Sequence, residues 1–294
     1  MAIYTIHGFK IGSTVIGGTS SQGLTNNFTI RNESTSGRAY PANVGITGVR
    51  PEIDITSTSI EDVLGAMSFE GAKISSANAV TIFAQKFKDG GTRDTTGHYK
   101  VTSSNGMCYL DSISWRQGDN ATATFKSILL PDNSSNPPYT MSTENSLPAL
   151  PASDDLWSVT GITFNSASLT GFTGVTINAG IQLVYEEVEG NYFPTVVAIQ
   201  EYKPTISIDG NFSASLFKSL TADVASGTIT FSKRDEGPAY TEDTVTLGFY
   251  GLGRSSDGFN GSGNNISTAK FDIDCCFDGT NHPIYIVSSE SEGD

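Results

Sequence analysis

Two stretches of this chain are variants of one another. Tyr40–Ile55 reads YPANVGITGVRPEIDI, and Phe193–Ile208 reads FPTVVAIQEYKPTISI. They align without a gap at an offset of 153 residues, with six identities in sixteen positions. Pro41, Val44, Ile46, Pro51, Ile53 and Ile55 match Pro194, Val197, Ile199, Pro204, Ile206 and Ile208, and Arg50 becomes Lys203. A period of this size is a whole domain, so the fold must be one that can be built twice in a single chain. Weaker matches extend the repeat. Val63, Leu64 and Met67 fall on Leu216, Phe217 and Leu220 at the same offset. Val80–Lys86 resembles Thr228–Arg234 after a short indel, and Ala123–Phe125 resembles Ala269–Phe271. Five of the eleven prolines lie between Pro131 and Pro151, in a Ser/Asn-rich stretch without periodicity. Such composition reads as a linker partly stiffened by proline. The expected organisation is a first domain at 1–130, a linker at 131–153, and a second domain at 154–294 with a short acidic tail.

Each copy reads as mainly β. Ile53 and Ile55 alternate with acids after Pro51, and Thr205–Ile208 repeats the period of two that marks a half-buried strand. Proline is tolerated at the start of a strand because the first residue need not donate to the ladder. A short helix follows: Thr58 and Glu61 suit a capping box before Ile60–Met67, with Glu61 and Asp62 in the dipole-favoured first turn. Ser213 with Ala214–Leu220 is the second copy's version. Further strands are expected at Val80–Lys86, His98–Ser103, Met107–Trp115 and Ala121–Leu130. In the second copy they are expected at Ile162–Phe164, Val175–Tyr185, Val196–Gln200, Thr228–Lys233, Val245–Phe249 and Thr268–Phe277. The fold class is therefore two duplicated β-sandwich or barrel-like domains, each with one short flanking α-helix. Gly17–Arg38 and Gly251–Asn265 are long, polar and without periodicity. They read as arms or loops that are disordered alone or ordered by a partner.

Signs of catalysis are sparse. The three histidines, His7, His98 and His282, share no metal-ligand spacing. No G-x-S-x-G elbow occurs. Gly248, Gly251 and Gly253 begin a phosphate-loop pattern, but Ser256 stands where the next glycine is needed, so a flexible β-connection is expected. Asp272 and Asp274 share one face of a strand, and Asp278 does not complete a calcium loop. Glu186, Glu187 and Glu189 read as a solvated hairpin tip. Trp115 and Trp157 are expected in a core or interface. No catalytic, cofactor-binding or metal-ligating residue is assigned, and no cofactor. Cys108, Cys275 and Cys276 form no disulfide framework.

The net charge of −14 is unevenly placed: residues 1–150 carry 12 acids and 11 bases, residues 151–294 carry 19 acids and 6 bases. Without a basic stripe, a grip on nucleic acid is not expected. No apolar run long enough to span a membrane occurs. The start of the chain lacks the basic and apolar regions of a secretion signal.

A duplicated β-domain with long polar arms suits an assembling structural protein. The strand–helix unit Pro51–Met67 with its copy Pro204–Leu220, the arm Gly17–Arg38 and the strand pair Ser112–Leu130 resemble the tail-tube proteins of long-tailed bacteriophages. That resemblance implies two packed sheets with a flanking helix per domain. It also implies a homotrimeric, pseudo-sixfold ring of fused domains, stacked into a tube with other tail proteins, through which viral DNA passes without specific binding. The protein would be made in the host cytoplasm and reside in the virion tail. Two other readings remain open from the residues: another virion component (tail tip, capsid decoration or fibre base), and a carbohydrate-binding β-sandwich module.

Overall fold

The computed structural model describes residues 3–290 apart from 35, 38–39, 42, 68, 89, 133–135, 151–155, 188–190, 212–222, 235–239 and 261–267. The first half contains β1 (Ile3–Ile11), β2 (Thr14–Ile16), β3 (Thr19–Glu33), β4 (Asn43–Ser57), α1 (Ile60–Ala66), β5 (Ala72–Ile74), β6 (Val80–Phe87), β7 (His98–Ser103), β8 (Gly106–Arg116) and β9 (Thr122–Leu129). Then come β10 (Thr140–Glu144), β11 (Leu156–Phe164), β12 (Ala167–Ser168), β13 (Phe172–Asn178), β14 (Ile181–Glu186) and β15 (Val196–Tyr202). The chain continues with β16 (Thr205–Asn211), β17 (Asp223–Arg234), β18 (Tyr240–Asn260), β19 (Thr268–Cys275) and β20 (Ile284–Glu290). The expected mainly β fold is borne out. The expected second helix at Ala214–Leu220 lies outside the described residues.

The strand ladders repeat as the sequence does. In the first half β1 pairs with β2 and β6, β6 with β7, β8 with β9, β9 with β4 and β4 with β3. In the second half β11 pairs with β12 and β17, β17 with β18, β18 with β19, β19 with β16 and β16 with β13. The first half splits this pattern into two layers, β10-β7-β6-β1-β2 facing β8-β9-β4-β3. The layers meet through rings such as Phe9 and Phe125, whose centroids lie 4.7 Å apart. In the second half β18 runs unbroken through both layers, where β7 and β8 are separate strands. Phe164 packs against Phe271 at 5.3 Å there.

Helix α1 lies close to its expected position, and its buried Ile60, Val63 and Leu64 dock it on the core. The capping box is not formed. Ser59 is the N-cap and makes no side-chain cap bond; Thr58 instead donates its hydroxyl to the Gly18 carbonyl. That bond to the connection between β2 and β3 takes the side chain away from the helix end.

Two polar stretches depart from expectation. The arm Gly17–Arg38 is largely β3, zipped antiparallel to β4 from Thr19↔Ser57 to Glu33↔Asn43. Its apolar side chains, Leu24, Phe28 and Ile30, are too few to alternate along the strand, and the backbone ladder supplies the order. Gly251–Asn260 is likewise the end of β18, not a loop. Within the stretch read as a linker, β10 pairs with the β7 edge, and Lys100 holds Glu144 by an ion pair. That pairing holds the Glu144 carboxyl below its usual range through the Lys100 ammonium and the Asn145 N–H.

The two halves share one sheet. β8 pairs with β13 from Ser112↔Asn178 to Arg116↔Gly174. The Ala121 N–H donates to the Trp157 carbonyl at 2.8 Å, and Trp115 meets Phe172 edge-on at 5.9 Å. Both tryptophans are buried, and the buried apolar side chains of the two halves form one cluster.

Candidate assembly interface

The sequence repeat Tyr40–Ile55/Phe193–Ile208 corresponds to the returning strand of a long hairpin in each half. In the first, β3 and β4 form one continuous ribbon. In the second, the ribbon is divided: β13 pairs with β16, and β14 pairs with β15 as a separate two-stranded sheet. The division occurs at Gly180, which sits at φ +60° with its Cα so close to Lys203 that a Cβ would lie 2.0 Å from the Lys203 carbonyl oxygen. Only glycine fits there without strain.

The registers match residue for residue. Phe28↔Val49, Ile30↔Ile46 and Asn32↔Val44 in the first hairpin correspond to Ile181↔Tyr202, Leu183↔Ile199 and Tyr185↔Val197 in the second. Each hairpin carries a β-bulge at the same place, Thr47 in one and Gln200 in the other, again 153 residues apart. A bulge bends the strand and restores apolar residues to one face after an odd step.

The second hairpin lies on the first half. Arg50 donates to Glu187 at 2.8 Å, and its guanidinium carbon lies 4.5 Å from the centre of the Tyr185 ring. The Val49 N–H donates to the Tyr192 carbonyl at 2.7 Å. Burial raises the hydroxyl pKa of Tyr185 and of Tyr109. A cleft of about 390 Å³ remains between Glu70–Lys73, Gly106–Met107 and Thr195–Val197.

The large sheet has one polar face that crosses both halves. Residues paired directly across strands share a face, which gives the row Ser21–Thr56–Thr124–Ser112–Asn178–Thr205–Asp274. The adjacent row is Thr122–Ser114–Thr176–Ser207–Asp272–Arg254. Hydroxyls bond along the rows: Thr56 with Thr124 at 3.1 Å, Ser114 with Thr122 at 3.1 Å, and Ser207 donating to Asp272 at 2.6 Å. Three cations near this face have acidic partners: Lys126 with Asp111, Lys270 with Asp272, and Arg254 with Asp274.

The edges of this sheet are unequal. At the joint, Ser112–Arg116 of β8 is occupied by β13. Its counterpart in β18, from Asp257 to Asn260, has β19 on one side and no strand on the other among the described residues. Residues Ser21–Thr25 of β3, the counterpart of Gly174–Asn178 of β13, form the opposite edge, with no further strand beside them among the described residues.

The residues singled out for chemistry are dispersed. His98 is buried and its Nδ1 accepts the Lys86 N–H; His7 donates Nε2–H to the Pro148 carbonyl; His282 meets Glu70 at 2.6 Å. Asp278 accepts the Thr280 and Asn281 N–H groups, which hold its carboxyl below the usual range. It closes a turn rather than joining Asp272 and Asp274. Glu189 lies outside the described residues. No group of three or more His, Cys, Asp or Glu side chains is placed to hold a metal among the described residues. Gly248, Gly251 and Gly253 are in β18 and serve close packing. A Cβ at Gly253 would lie 2.5 Å from the Phe164 ring, and one at Gly248 would lie 2.6 Å from the Tyr285 ring. No helix among the described residues is long and apolar enough to cross a membrane.

Burial pushes the thiols of Cys108 and Cys275 up to about 12, while Cys276 is exposed. A maleimide at pH 7.5 is therefore expected to modify Cys276 alone in the native subunit. Mass spectrometry of the labelled chain should show one adduct; a second native adduct would contradict the packing around Cys108 and Cys275.

No protein-family model matches the chain, and no curated protein is detectably similar to it in sequence.

Proposed function

We propose that this chain is a subunit of a bacteriophage tail tube, in which three copies close a ring of six similar sheet domains and the rings stack into a conduit for viral DNA. The observation that carries the reading is the joint inside the chain. Two homologous halves are already united by strand pairing between β8 and β13, and among the described residues the corresponding edges, Ser21–Thr25 and Asp257–Asn260, have no strand beside them at the two ends. Repeating the same contact between chains is a heterologous interface, which closes into a ring when its rotation divides a full turn. Ring closure also consumes the open edges that would otherwise invite aggregation.

The polar face supports a conduit. Its cross-strand rows are rich in serine and threonine, and several of its cations are paired with acids. Passing phosphates therefore meet hydrogen-bonding groups without a stripe of free cations, and the counterion-release gain of a basic wall is small. Glu186, Glu187 and Glu201 of the second half lie away from those rows, on the second hairpin. Neutral hydroxyls, rather than repulsion from an acidic wall, are then what keeps DNA free to slide. The burial of Trp115 and Trp157 removes both as stacking platforms for a bound sugar.

Negative-stain microscopy and sedimentation of the purified chain test this reading. Hollow rings of three chains, or tubes of stacked rings, are expected. A protein that stays monomeric over the micromolar range overturns it. Rings that never stack favour a different virion component.

A further inference from the structure

The two hairpins carry the same apolar positions and meet opposite fates. Val197, Ile199, Ile181 and Leu183 are half-buried in the hairpin that lies on the first half. Their counterparts Val44, Ile46, Phe28 and Ile30 are 67%, 47%, 54% and 58% exposed. Scattered exposed apolar residues are ordinary, but a contiguous set on one face of a ribbon marks an interaction surface. The internal repeat says what covers it. Within the chain, the hairpin of the second half covers the first half, at the joint where β13 pairs with β8. By the same relation, the hairpin of the first half belongs on a second half, beside the open β18 edge. That second half is not in the same chain, because its own first half already occupies the other side of the joint.

We infer that the outer part of the β3–β4 hairpin docks its Phe28, Ile30, Val44 and Ile46 face onto the second half of another copy of this chain. The contact rests on the self-association proposed above and names the surfaces that make it. On the receiving side, Lys203 stands where Arg50 stands in the internal contact, at the offset of 153. Arg254 stands where Tyr109 does, by strand register: Leu110 opposes Phe125 as Ser255 opposes Phe271. Lys203 and Arg254 are both well exposed in the isolated chain. The first hairpin runs straight where the second is divided, so docking in the same pose adds a bend at Asn27, the counterpart of Gly180. Asparagine is among the non-glycine residues that most readily enter left-handed backbone.

The experiment compares the full chain with an Ile30→Asp/Ile46→Asp variant by sedimentation velocity. Both residues are exposed, so the variant's subunit should keep its circular dichroism spectrum and melting temperature. Its self-association should weaken by at least about 100-fold, the loss expected for two apolar anchors. A second variant, Asn32→Cys with Lys203→Cys in a Cys276→Ser background, reports position. These residues are the counterparts of Tyr185 and Arg50, and a short bis-maleimide should link them between chains, while either cysteine alone gives no ladder. Assembly that survives the aspartates, with no cross-link from the cysteine pair, overturns the docking and leaves the ring reading standing. A wild-type chain that stays monomeric overturns both.

Discussion

Replacing Gly106 with alanine should destabilise the folded chain by about 4 kcal/mol, combining strained left-side backbone with a forced shift of the neighbouring strand. Gly106 opens β8, three residues after β7 ends in the opposite layer, and sits at φ +133°. A Cβ there would lie 2.0 Å from the Ile128 carbonyl oxygen. That oxygen belongs to backbone in the adjoining β9, so no side-chain rotation relieves the clash. The counterpart in the second half is Gly251, where a Cβ would lie 2.5 Å from the Asp274 carbonyl oxygen. Ile128 and Asp274 are themselves counterparts, three residues beyond Phe125 and Phe271. Both copies therefore use glycine where the chain passes from one layer to the other. Thermal unfolding followed by circular dichroism should show a fall of roughly 10 °C for Gly106→Ala. A change below about 1 kcal/mol would mean that β9 yields at this point, contrary to the ladder that fixes it.

Trp157→Ala should cost about 3–5 kcal/mol, the usual penalty for emptying a fully buried aromatic site. Trp157 is 0% exposed, and its carbonyl accepts the Ala121 N–H from the other half. Its indole N–H has no hydrogen-bond partner among the described residues. Trp157→Phe, which removes that unpaired donor and leaves a smaller void, should therefore cost less than half as much. The loss should be shared by the whole chain. One sheet and one core cross the joint, so calorimetry of the wild type should give a single cooperative transition, and the alanine variant should shift it without splitting it. Two separated transitions would show that the halves fold independently and that the joint contributes little.

The repeat was legible because it is written in side chains. Ile53 and Ile55 alternate with polar residues, and so do Ile206 and Ile208; each is buried as that alternation requires. His98–Ser103 and Val80–Lys86 were readable for the same reason. Helix α1 announced itself through the shared face of Val63, Leu64 and Met67. By contrast, β3 offers TSSQGLTNNFTIRNE, in which little alternates. Its order comes from backbone groups satisfied by β4, and backbone groups are the same in every sequence. The Gly248, Gly251 and Gly253 series misled in the other direction. Missing side chains read as flexibility, whereas they make room for rings and carbonyls from neighbouring strands.

By itself the sequence determined that the chain carries one β pattern twice, where the strand after Pro51 and its copy after Pro204 lie, and how the net charge divides between the halves. It did so because burial and strand alternation leave a local, periodic record. Only the tertiary structure decided that the halves share one sheet through β8 and β13, that the second hairpin is divided at Gly180 while the first stays whole, and that matching apolar faces end up covered in one copy and bare in the other. Those outcomes depend on which distant strand lies alongside, and a ladder of backbone hydrogen bonds leaves no residue pattern from which its partner can be read.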